Sequence, residues 1–286
     1  MTSHSTPFQE FLARLSLLIE QHPLLMVNTL SNVFTMRLIG NKTHGDLGEI
    51  AIAEFIRQFM YDYDAQHVGK DLFRAKEHEE DIVVSSLINH ESIAISLKAY
   101  GDGPLQLSTD KTGALFPYLS SFGTRVLSDS GVIAEVFSSA ELAEVMDLNV
   151  LPLIYREKSL ECNIMVFDIE RAMNSTSRIE LVDTDGGRGR KHPIWKFSDS
   201  QNRYICEVRY GGAAANALQR GLWTHTRNAE AYFTSVTGGW ISYAHNLVLV
   251  DLFAKALNAT QDGHRHALEV IEGDLGKLRR HEGLPA

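Results

Sequence analysis

A chain of 286 residues with 44% hydrophobic content can bury a substantial core in one large domain. Its formal net charge of -9 argues against an indiscriminate nucleic-acid coat, because such a coat binds phosphate through cationic charge. No apolar run approaches the roughly 20 residues of a membrane span, and Met1-Thr2-Ser3-His4-Ser5 has no basic leader, so the expected compartment is the cytoplasm, with no membrane partner.

Phe8, Leu12, Leu15, Leu18 and Ile19 recur at helical spacing up to Pro23, and a second helix is expected over Leu24–Leu38. These two make an N-terminal helical region, 1–40, whose role is packing. A third helix runs from Thr43 to Met60 with Ile52, Phe55, Ile56 and Phe59 as its apolar stripe. Glu49 stands three residues before Ile52 and seven before Ile56, on the inward side, where a carboxylate needs a partner. Two uses are open. It can complete a capping pair with Asp46 at the N-cap, or it can be an acid directed into a site.

After the charged run Arg74–Glu80, Asp81-Ile82-Val83-Val84 and Ile93-Ala94-Ile95-Ser96-Leu97-Lys98 are β-branched and alternating, joined by the polar Asn89-His90-Glu91. They read as a hairpin. Alternate side chains share a face, so Ser96 and Lys98 point one way while Ile95 and Leu97 point into the opposite layer. Asp81 can then approach the Ser96/Lys98 face, where an aspartate and a lysine would anchor a divalent cation and orient water. Two solvated strand-end charges would look the same in sequence.

Ala99–Pro104 reads as a turn, and Gln106, Ser108, Thr109 and Lys111 as a polar segment suited to phosphate or base contact. Strands are expected at Val132–Phe137, Val150–Tyr155, Asn163–Asp168 and Arg178–Val182, with a helix at Ser139–Asp147, hence an α/β sheet. Cys162 and Cys206 lie in apolar strand-like runs, the setting of buried free thiols. Thr184–His192 is the most basic loop, and its glycines free the backbone for Arg188, Arg190 and Lys191 to meet a phosphate chain. A strand at Tyr204–Tyr210 closes the α/β core, 41–210. Gly211–Trp223 reads as a helix carrying Asn216, Gln219 and Arg220, residue types that read base edges, with Arg227 placed for phosphate. Trp240–Leu257 and Gly263–Arg280 complete a C-terminal helical region, 211–286.

Asp81, the hairpin and the run ending Ser96-x-Lys98 resemble the PD-(D/E)xK nuclease motif, an aspartate followed by a strand ending in an acid, any residue and lysine. Two positions depart from it. Glu80 stands where proline would precede the aspartate, and Ser96 replaces the second acid. Members with serine there usually bring the missing carboxylate from a helix. Glu207 to Trp223 is similar to the C-terminal region of some type II restriction endonucleases. The resemblance implies one restriction-endonuclease-like α/β domain with a mixed central sheet flanked by helices and helical additions at both termini. It implies a type II restriction endonuclease, cutting double-stranded DNA at a specific short sequence with Mg²⁺. Asp81 would hold metal, Lys98 would orient or activate water, and Glu49 would be a second ligand or supporting acid, with Glu79 and Glu80 as rivals. It further implies a homodimer and a cognate DNA methyltransferase encoded nearby. A second acid-x-base pattern, Glu207-x-Arg209 after Asp183 and Asp185, is the weaker candidate, since arginine stays protonated. Two other functions remain open: a non-specific repair or recombination nuclease, and a DNA-binding module without chemistry.

Overall fold

The computed structural model describes residues 6–38, 44–68, 81–101, 103–146, 148–156, 158–183, 192–209, 219–243 and Gly273. Thr6 starts the first helix, α1 (Pro7–Gln21), with a reciprocal cap: its hydroxyl accepts from the Gln9 amide at 3.2 Å, and the Gln9 side chain accepts from the Thr6 amide at 2.9 Å. Phe8, Phe11, Leu15 and Ile19 form the buried face of α1. Pro23 begins α2 (Pro23–Leu38), a position where a missing N–H costs nothing. α3 (His44–Phe59) follows.

These helices pack on one face of a seven-stranded sheet built from β1 (Tyr63–His67), β2 (Ile82–Ser86), β3 (Ser92–Tyr100), β6 (Val150–Arg156), β7 (Glu161–Phe167), β12 (Phe233–Ser235) and β13 (Ile241–Ser242). The order is β1-β2-β3-β6-β7-β12, with β13 also on β7. Only β3 and β6 run parallel; the other pairs are antiparallel. Ile93, Ile95, Leu97, Leu151, Leu153, Cys162 and Ile164 face the helices. Ile154, Met165 and Phe167, at alternate positions, face the other way.

That second face meets a layer with no counterpart in the expected fold, a six-stranded antiparallel sheet ordered β4-β11-β10-β9-β8-β5. Its strands are β4 (Pro104–Ser108), β5 (Val126–Leu127), β8 (Thr176–Val182), β9 (Ile194–Asp199), β10 (Tyr204–Arg209) and β11 (Gly221–His225). Trp195, Phe197, Val208 and Leu222 join Ile154 and Phe167 in one core, together with apolar residues of α4 (Leu115–Ser121), α5 (Ser130–Phe137), α6 (Ala140–Met146) and α7 (Ile169–Ser175). The chain is therefore a mixed α/β fold with a central sheet flanked by helices. Cys162 and Cys206 are buried free thiols, and burial pushes the Cys162 thiol up to about 12. Among the described residues no helix is long and apolar enough to cross a membrane.

Three expected elements are corrected. Val132–Phe137 is not a strand but lies in α5, because Asp129 caps the helix by accepting from the Gly131 and Val132 amides at 2.9 and 3.0 Å, and Ile133 and Val136 bury one helical face. Of the polar segment, Gln106 and Ser108 lie in strand β4 and Thr109 and Lys111 follow it. The helix expected over Gly211–Trp223 cannot extend to its end: residues 210–218 lie outside the described residues, and Gly221–His225 is strand β11. Strands β11, β12 and β13 likewise replace helix in the described part of 211–286, of which 244–286 lies outside the description except for helical Gly273.

A buried carboxylate closes the turn between β9 and β10. Asp199 accepts from the Gln201 and Arg203 amides at 2.9 and 2.8 Å, from Arg203 Nε at 2.7 Å and from the Tyr232 hydroxyl at 2.9 Å. Burial pushes its pKa up, but the Arg203 amide and guanidinium, the Tyr232 hydroxyl and the Gln201 amide outweigh that and bring it from 3.8 to about 2. A folded value below the unfolded one means that this stabilisation is complete above pH 3.8 and is lost as pH falls towards about 2. Asp199→Asn should lower stability near neutral pH by about 2 kcal/mol, as for a broken buried network, and remove this group's share of acid sensitivity. Urea melts at neutral pH and at about pH 3 check both; identical acid sensitivity in the two proteins would contradict the assignment.

Candidate active site

The Asp81–Lys98 hairpin forms as its alternation predicts. Val83 pairs with Ala94 and Ile82 with Ile95, which brings the start of β2 beside the second half of β3. Asp81 Oδ2 accepts from the Leu97 amide at 2.7 Å and from Ser96 Oγ at 3.1 Å, and Lys98 Nζ lies 4.0 Å away. The Asp81 amide donates to the Ile95 carbonyl at 3.2 Å, fixing the backbone as well. Ile93, Ile95 and Leu97 are buried while Ser96 and Lys98 take the alternate face, the one that leads along β6 towards the second sheet. The side chains of Lys98 and Asp81 are 40% and 23% exposed, so the pair adds little to stability yet is open to water and ligand. Asp81 Oδ1 has no hydrogen bond among the described residues.

Glu49 is buried, and its Oε2 lies 2.9 Å from His67 Nε2. α3 lies against β3 and β6 at Gly48, where a Cβ would stand 3.7 Å from Leu97 and 3.8 Å from Leu153, ordinary van der Waals distances. His67 ends β1 on the side packed by α3, after Tyr63 and Ala65 at alternate positions. It pairs with Ile82, and the next amide, Val68 N, donates to the Asp81 carbonyl at 3.0 Å. The Glu49–His67 pair is thus one strand away from Asp81, on the helix side of the sheet. α3 starts at His44, so Asp46 lies inside its first turn and is not the N-cap. His67 escaped the sequence reading because β1 did. The short alternation Tyr63-Asp64-Ala65-Gln66-His67 was the available signal.

Among the described residues no three His, Cys, Asp or Glu side chains converge to hold a metal. Mg²⁺ fits the open Asp81 oxygen without such a cluster, because it is typically held through one or two carboxylates and keeps several waters.

Of the residues expected to meet DNA, Gln219, Arg220 and Arg227 are described. Arg188, Arg190, Lys191 and Asn216, with Glu79, Glu80 and Asp185, lie outside the described residues. Gln219 is exposed. Arg220 does not project from a helix: its carbonyl accepts from Gln106 Nε2 at 3.0 Å, and its Nη1 is 2.8 Å from where a Cβ on Gly113 would be. Its Nε is buried with no hydrogen-bond partner among the described residues. Gln106 is therefore also engaged inside the fold. Arg227 is exposed in the turn after β11, beside Arg156, whose guanidinium stacks 3.7 Å over Trp240.

The alternative acid-x-base pattern is an internal ion pair. Arg209 Nε donates to buried Glu207 at 2.5 Å, the Tyr204 hydroxyl donates to the same carboxylate at 3.1 Å, and the Arg209 guanidinium covers the Trp223 ring at 4.2 Å. Burial, then the Glu207 charge, hold the Tyr204 pKa well above the ordinary tyrosine value. Asp183 is exposed and paired with Arg125.

No protein-family model matches the chain, and no curated protein or solved structure is significantly similar to it.

Proposed function

We propose that the chain is a nuclease of the PD-(D/E)xK kind that hydrolyses phosphodiester bonds in duplex DNA, with a type II restriction endonuclease as the leading form. The observation that supports it is the placing of Asp81 and Lys98 side by side on adjacent strands, 4.0 Å apart and partly exposed. Asp81, pinned by the Leu97 amide and Ser96, would hold a cation through Oδ1. Lys98 orients the attacking water and offsets charge on the phosphoryl oxygens. The water oxygen bonds to phosphorus as the bond to the leaving sugar oxygen breaks; the proton the water loses passes to bulk solvent, and the leaving sugar oxygen takes one up from solvent. A bound Mg²⁺ supplies Lewis acidity for that step. The test is incubation of long unmodified DNA with and without Mg²⁺: discrete fragments support site-specific cleavage, a smear supports a non-specific nuclease, and intact DNA defeats the nuclease reading. A methyltransferase gene beside this one would add weight to the restriction form.

A second reading, a DNA-binding module without chemistry, has one observation in its favour. Ser96 stands at the motif's acid position, and its hydroxyl, a weaker metal ligand than a carboxylate, donates to Asp81.

Glu49 tests how complete the site is. Glu49→Gln keeps an acceptor for His67 but removes the charge. It should lower cleavage at least about 100-fold, roughly 2.7 kcal/mol of barrier, while thermal stability falls by no more than about 1 kcal/mol. Wild-type cleavage in this variant would make Glu49 a structural partner of His67 only.

A further inference from the structure

Between the first half of α1, the ends of β7 and β12 and the start of α7 lies a cavity of about 430 Å³, within the size range of small-molecule sites. Its body is apolar, walled by Phe8, Leu12, Val166, Ile169 and Val236, and α1 presents only short side chains beside them at Ala13 and Ser16. Asp81 and Lys98 do not line it. The hairpin reaches it through the Asn149 carbonyl, which accepts from the Ser96 amide at 2.9 Å.

The charge of the lining has one sign. Asp168 and Glu170 contribute carboxylates, and among the described residues no Lys, Arg or His side chain lines the cavity. Asp168 is already matched: its side chain accepts from the Arg171 amide at 2.9 Å and pairs with Arg171 Nη2 at 3.2 Å. Glu170 has no such partner among the described residues. The side chains of Ser16, Asn149 and Thr234 likewise make no hydrogen bond there, which leaves two hydroxyl oxygens and one amide oxygen as uncommitted acceptors.

We infer that this cavity binds a small organic cation, a primary ammonium carried on an apolar body. The apolar part leaves water for the hollow, which is the main source of affinity. The ammonium brings three donors and no acceptor, matching a lining that offers an unpaired carboxylate and free acceptor oxygens. A phosphate meets the opposite of what it needs, on a chain whose net charge of -9 already repels it. The site is therefore separate from the hairpin, and its ligand does not depend on whether the hairpin cuts DNA.

Isothermal titration of the full chain at neutral pH with tryptamine, tryptophol and indole-3-acetate tests this, because the three probes share one ring and differ in charge. Tryptamine should bind about five-fold tighter than the uncharged tryptophol, the scale of one partly exposed charge pair, with indole-3-acetate the weakest. Glu170→Gln should bring tryptamine to the tryptophol level. Ala13→Trp, at an exposed position on α1, should fill the hollow and weaken tryptamine and tryptophol alike. Circular dichroism should show both variants folded. Three results each overturn the inference: no heat of tryptamine binding up to about 10 mM, equal affinities for the three probes, or a tryptamine affinity that neither variant changes.

Discussion

Asp81→Asn and Lys98→Ala should each reduce DNA cleavage at least about 1000-fold while leaving the protein folded. The two losses arise differently. Asparagine keeps the shape of Asp81 and can still accept from the Leu97 amide, so the hairpin stays pinned, but a neutral amide holds Mg²⁺ poorly. Alanine at position 98 removes a 40% exposed side chain whose one ion-pair contact among the described residues is 4.0 Å long, which should change stability by no more than about 0.5 kcal/mol. Lys98→Arg should not restore activity, because a planar guanidinium cannot replace a compact ammonium in orienting one water. Turnover measured on purified protein, with the melting curve as control, decides it. Wild-type rates in either variant would move the chemistry away from this hairpin.

The largest expected loss of stability is at Gly221. Its φ is +116°, and a Cβ there would stand 2.2 Å from the Ser108 carbonyl oxygen and 2.7 Å from the Asp110 amide nitrogen, both backbone atoms that cannot turn aside. Gly221→Ala must therefore push β4 off β11 at the edge of the six-stranded sheet. Strain at positive φ and the clash together predict a loss of about 4 kcal/mol or more. Gly238 is the control: φ is +71° but no described residue lies within 4 Å of its would-be Cβ, so Gly238→Ala should lose only about 1 kcal/mol. Denaturant midpoints of the two variants measure the difference. Equal midpoints would refute the close approach of the two strands.

Alternation made the Asp81–Lys98 hairpin legible, because a half-buried strand must alternate and Ile93, Ile95 and Leu97 do so without interruption. Helical periodicity served α1 and α3, whereas α2 carries no clear apolar stripe. β-branched density alone misled at Val132–Phe137, where a capping aspartate outweighed strand propensity. The alanine-rich run before Trp223 misled in the opposite direction, since nothing local announces that Gly221–His225 will be claimed by β4 and β10. The polar Gln106 and Arg220 looked ready for a ligand, yet they bond to each other's segment inside the fold. Glu49 was correctly placed on the inward side of α3, but its partner, His67, comes from a five-residue strand too short to stand out.

The bond between Gln106 and Arg220 joins residues 114 positions apart. On a ribosome adding about 5–20 residues per second, β4 waits roughly 6–23 s for the strand that covers it. The β1–β2–β3 meander needs no such wait, for its pairings are local. During that interval the nascent chain displays Leu105 and Leu107 without β11, and a holding chaperone that binds apolar strand edges would find its ligand there.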